Sequence, residues 1–119
     1  MKIPKPSKQL AKVEGSAMRT NRTSGQVEKK QDYSGVQPID VPPGESTVAA
    51  TRGFKHWFST RDAGMTVEST TSVTISCERD LDSIMNAGWA AGQMAERLAK
   101  DGCNDMDLYI EKFMRETES

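Results

Sequence analysis

Between Met65 and Cys77 the chain can be little other than a β-strand: Val73, Ile75 and Cys77 fall on one side of an extended backbone, Thr74 and Ser76 on the other. Threonine and valine dominate the stretch, and β-branched side chains crowd a helix but pack well on a pleated surface. A lone strand is not stable, so the segment demands partners. A break at Ser69 to Ser72 divides it into two strands. Upstream, Phe54 to Thr60 reads as a further strand with Phe54, His56 and Phe58 on one face and Lys55 and Trp57 on the other. Arg61-Asp62-Ala63-Gly64 forms the turn between them. The expected product is a small antiparallel sheet of two or three strands.

Two helices are expected to follow. Asp80 is placed to cap the first, in which Leu81, Ile84, Gly88, Ala91, Ala95 and Leu98 recur at helical spacing. Gly102 stands where a helix commonly stops, and Asn104 is placed to cap a second helix with Met106, Tyr109, Ile110, Phe113 and Met114 as its apolar stripe. The fold class expected is α+β, with the small sheet preceding both helices.

The first part of the chain looks different. Pro4 and Pro6 oppose a helix, Ser16 to Gly25 is small and polar, and Gly35, Pro38, Pro42, Pro43 and Gly44 punctuate the rest. Val36 to Pro43 alternates apolar residues with prolines, which suits an extended segment lying over another surface. Residues 1–47 therefore read as a long irregular arm and residues 48–119 as the folded domain. So small a folding unit, roughly 65 residues of core, would gain stability from a partner or from self-association.

Charge sharpens the division. Residues 1–30 hold eight basic residues against two acidic ones, while residues 77–119 hold five against ten; the whole chain carries a net −1. A basic arm opposite an acidic end needs a counterpart, whether phosphate, an acidic protein surface or its own C-terminal half.

The residues offer little for catalysis. There is no phosphate loop, no Gly-x-Ser-x-Gly elbow and no histidine pair for a metal, and one histidine with two distant cysteines makes no ligand cluster. No catalytic residue, cofactor or metal is expected. Cys77 and Cys103 read as reduced, partly buried thiols. No apolar run is long enough for a membrane span, so an intracellular, cytoplasmic protein is expected, or one held in a virion or other large assembly.

Binding remains. Gly88 and Gly92, with Ala91, Ala95 and Ala99 nearby, suit tight packing on a sheet, with helix–helix association as the alternative. Trp89 lies beside Met85 at the margin of the apolar stripe, where tryptophan serves either as an interface anchor or as the rim of a small core. The leading expectation is a non-enzymatic accessory or structural subunit. It would bind protein partners, its own copies included, through Trp89, Met85 and an arm segment carrying Val36, Ile39 and Val41. An alternative is a nucleic-acid-binding protein in which Arg52, Lys55, His56, Trp57 and Arg61 interleave cations with stacking rings. A third reading is a small inhibitor of a host protein.

Overall fold

The computed structural model describes residues 8–59 and 64–118, with side chains described as far as 57 and again from 64 to 105. Five antiparallel strands are followed by one long helix: β1 (Gln9–Asn21), β2 (Val27–Asp32), β3 (Gly35–Ile39), β4 (Ser46–Ser59), β5 (Gly64–Cys77) and α1 (Leu81–Glu118). The sheet order is β2-β1-β5-β4, and β3 also pairs with β1. The α+β class stands, but three expectations change: five strands replace two or three, one helix replaces two, and no long arm precedes the sheet.

The supposed arm contains the inner strand β1. Its Lys12–Asn21 stretch pairs with Thr74–Met65 of β5 on one side, while its other side meets β3 over Gln9–Val13 and β2 over Ser16–Thr20. Alternate residues Ala11, Val13, Ala17 and Arg19 are buried toward the helix. Two alanines contribute little apolar area, so β1 has a weak strand signal of its own and takes its place from hydrogen-bonding neighbours on both sides. Of the Val36 to Pro43 segment expected to lie over another surface, Val36–Ile39 instead joins the sheet as part of β3, hydrogen-bonded edge to edge with β1.

Small residues also form the helix side of the core. Ala87, Ala91, Ala95 and Ala99 of α1 are fully buried, and the larger apolar residues come from Val13, Ile39, Val41, Val73 and Ile75. Met94 completes this layer. Leu81 and Ile84, expected in the packed stripe, are exposed. Asp80 caps the helix as expected, accepting from the Ser83 amide at 2.9 Å and from its hydroxyl at 2.7 Å. Those bonds hold its carboxyl below the ordinary carboxylate range.

Gly102 does not end the helix. A Cβ there would lie 2.6 Å from Ser69 Oγ and 2.9 Å from the Tyr33 ring, so glycine permits the helix to pass close over both. Beneath, the same ring covers Gly15, leaving no room for a Cβ. Tyr33 sits in the gap between β2 and β3, its amide donating to Gly15 O at 2.9 Å. Its hydroxyl meets the buried Ser69 and Thr71 hydroxyls, the latter at 2.8 Å. This wedge fastens a broken sheet edge, an inner strand and the helix together.

The molecule is elongated. Its radius of gyration is 18.5 Å, against about 13–14 Å for a compact domain of this length. The principal extents are 68 × 24 × 17 Å.

Candidate functional site

The part of α1 turned away from the sheet carries the largest apolar exposure among the described residues. Leu81, Met85 and Trp89 follow one another at four-residue intervals, 72%, 63% and 71% exposed. Residues four apart stack on one side of a helix, so the three make a ridge over more than two turns. Two clefts flank Trp89. One, of about 420 Å³, is bounded by Asp40, Pro42, Glu78, Ser83 and Asn86. The other, of about 470 Å³, runs between Pro38 and the helix residues Gln93, Met94 and Arg97. Asp40 borders both clefts, Glu78 adds a second carboxylate to the first, and Arg97 brings a guanidinium to the second.

The five residues expected to bind a partner are divided by this geometry. Trp89 and Met85 are together on the ridge. Ile39 and Val41 are each only 7% exposed and belong to the core under α1, although their positions border the clefts. Val36 is exposed on the opposite face of the sheet, paired with Lys12. Leu81 was assigned to the core by its spacing with Ile84. The signal for its exposed position is its four-residue spacing to Met85 and Trp89.

The aromatic and basic residues of β4 alternate as an edge strand dictates. Phe54 is half-buried on the helix side, with Lys100 Nζ 5.3 Å from its ring centroid, and its strand neighbour His56 is exposed. Lys55 and Trp57 point to the open face. Lys55 forms an ion pair with Glu68 at 3.0 Å, and Arg22 stacks 5.0 Å from the Trp57 centroid. Arg52 is exposed and its guanidinium donates to Thr51 O at 3.0 Å. Arg61 lies outside the described residues, as does most of the turn assigned to 61–64. The helix-2 stripe from Met106 to Met114 lies where side chains are not described. Trp57 is therefore separated from Phe54 by the sheet itself, and the two rings form no common stacking platform.

Gly88 and Gly92 occupy the side of α1 that faces β4. Val48 Cγ1 would stand 3.8 Å from a Cβ on Gly88, and the Arg52 guanidinium 3.0 Å from one on Gly92. Cys77 and Cys103 are buried, unbridged and in separate core clusters. Among the described residues no three histidine, cysteine or carboxylate side chains gather as a metal site. No described helix is long and apolar enough to cross a membrane. A second carboxylate held below its ordinary range, Asp32, owes this to the backbone and hydroxyl bonds of Ser34, which shape the β2–β3 junction.

The fold and surface define an α+β protein with one helix laid across an antiparallel sheet of five strands. No known protein family, curated protein or solved structure matches the chain.

Proposed function

We propose that this chain is a non-enzymatic accessory or structural subunit that docks a protein partner on the outer side of the first turns of α1. The observation that supports this reading is the Leu81–Met85–Trp89 ridge: three large apolar side chains exposed in a row, with a cleft on each side of the tryptophan. Contiguous apolar surface of this kind costs solubility unless it is covered, and tryptophan in a cleft-flanked position is the commonest kind of interface anchor. The partner it suits presents apolar side chains to the ridge, a cation toward Asp40 and Glu78, and an acceptor toward Arg97. The N-terminal segment is not part of the proposal, because residues from Gln9 onward are committed to the sheet.

Affinity capture from the native host lysate tests it, with wild type and Trp89→Ala compared side by side and far-UV circular dichroism as the folding control. A protein retained by wild type and lost from Trp89→Ala is expected, and its identity separates a fellow subunit from an inhibited host target. Equal retention by both ends the reading.

One observation favours a second reading, nucleic-acid binding: Trp57 is 66% exposed on the open face with Arg22 stacked against it. The charge on that face weighs against it, since Lys12, Lys30 and Lys55 share it with Glu14, Asp32 and Glu68. Titration with single-stranded oligonucleotides at two salt concentrations decides: salt-sensitive binding abolished by Trp57→Ala would favour this reading over the first.

A further inference from the structure

The two margins of the sheet are unequal, and β4 is the open one. It pairs with β5 through fourteen successive residue pairs, Ser46↔Cys77 to Ser59↔Gly64, without a register shift. It contains no proline. Its outer side therefore presents a row of backbone donors and acceptors, of which Thr51 O already accepts from the Arg52 guanidinium; natural edge strands usually suppress such a row.

The side chains of β4 say what fits there. The first half is small, Ser46-Thr47-Val48-Ala49-Ala50-Thr51, and the second half is bulky, Phe54-Lys55-His56-Trp57, with Gly53 at the junction. An antiparallel copy of the same strand, turned about Gly53, sets Lys55, His56 and Trp57 against small residues. Trp57 then faces Ala49 of the second copy, His56 faces Ala50, Lys55 faces Thr51 and Phe54 faces Arg52. No cation faces a cation, and Lys55 is already neutralised by Glu68. Opposed residues in an antiparallel pair share a face, so both helices come to lie on the same side of one continuous sheet.

The helices agree with that geometry. α1 packs over β4 and β5, which places its axis about one strand spacing from the edge and two copies about 10 Å apart. Helices approach to 8–10 Å according to the side chains between them; on the side of α1 toward β4 these include Gly88 and Gly92, Gly92 being buried under the Arg52 guanidinium of its own chain. Pairing about Gly53 aligns Thr47–Ser59 of the two copies, thirteen residues, and would supply about 14 backbone bonds, near the upper end for a stable interface.

We propose that β4 is a self-association edge: two copies pair antiparallel through it about a two-fold axis at Gly53, extending the sheet across both chains and bringing the two α1 helices alongside each other. The occupant is a second copy of this chain. The contact is separate from Trp89, whose clefts open toward Pro38, Asp40 and Pro42 at the other margin of the sheet.

Sedimentation equilibrium of the full chain tests this, with far-UV circular dichroism as the folding control. Wild type should be a reversible dimer. Gly53→Glu, whose Cβ has room because its nearest neighbour is Ser69 O at 3.4 Å, should weaken dimerisation about tenfold or more by facing two carboxylates across the axis. Gly53→Lys should do the same, and mixing the two variants should restore a dimer. Thr51→Lys, facing Lys55, should weaken association, whereas Thr51→Glu should not. Trp89→Ala should dimerise like wild type. A wild type that is monomeric at every concentration overturns the proposal. So does a Gly53→Glu dimer of undiminished strength, or one dissolved by Trp89→Ala instead.

Discussion

The two edges of the sheet solve the same problem in opposite ways. On one side β2 and β3 divide the margin of β1 into pieces of six and five residues, separated at Tyr33 and Ser34. A register shift between Arg19 and Thr20, the proline at 38, and the charges of Glu28, Lys29 and Lys30 further spoil that edge as a template. On the other side β4 runs fourteen residues with no register shift and no proline. Protection on one margin and exposure on the other indicate that sheet growth is directed: an added strand has one place to go. The broken edge is also where the fold is fastened, because the gap admits Tyr33.

Breaking the fastened edge should have the largest effect. Gly15→Ala puts a methyl group into the Tyr33 ring and is expected to lower unfolding free energy by about 3 kcal/mol in urea titration. Adding Tyr33→Ala should recover part of the loss, and full additivity of the two changes would show that the ring is not seated on Gly15. Tyr33→Phe keeps the ring and deletes the hydroxyl shared by buried Ser69 and Thr71. A loss of about 1–2 kcal/mol is expected, and an unchanged urea midpoint would remove the hydroxyl from the account.

A matched pair of charge insertions then compares the edges directly. Thr51→Lys on β4 should shift the association equilibrium while Gln37→Lys on β3 should leave it unaltered, both read by sedimentation. Equivalent behaviour would erase the distinction between the margins. The smallest effect concerns acid. Asp80 at the helix start and Asp32 at the broken edge both have carboxyl pKa values lowered in the folded protein by serine hydrogen bonds. Each therefore contributes stability above the unfolded pKa, and that contribution disappears as pH falls through the folded value. Urea midpoints should decline below about pH 4, and Asp80→Asn, which can still cap, should make the decline shallower.

Legibility followed side-chain size. β5 announces itself through Val73, Ile75 and the threonines, and the Asp80 cap is readable because its chemistry is local. β1 reads as an arm because its inward residues include Ala11, Gly15 and Ala17, whose burial is invisible until Ala91, Tyr33 and Cys103 are known to pack with them. Gly102 misled for a related reason: a glycine that stops a helix and one that admits a neighbour look alike in a sequence. At the candidate site, Trp89 and Met85 could be found from the helical wheel. That Ile39 and Val41 are buried while Val36 faces the other way depends on the pairing of β3 with β1. The openness of β4 is likewise a matter of strand order, which no stretch of sequence encodes alone.

The pairing of β1 with β5 carries a consequence for how the chain is made. Val13 meets Val73, so an inner strand built early on the ribosome waits for one built some sixty residues later before either has both its neighbours. The tyrosine wedge closes later still, when Gly102 arrives. Strands with distant partners fold slowly and spend that delay vulnerable to wrong partners. In the nascent protein the short, charged, proline-bearing pieces of β2 and β3 are thus the first neighbours β1 acquires, and they shield one of its flanks while the other is still waiting.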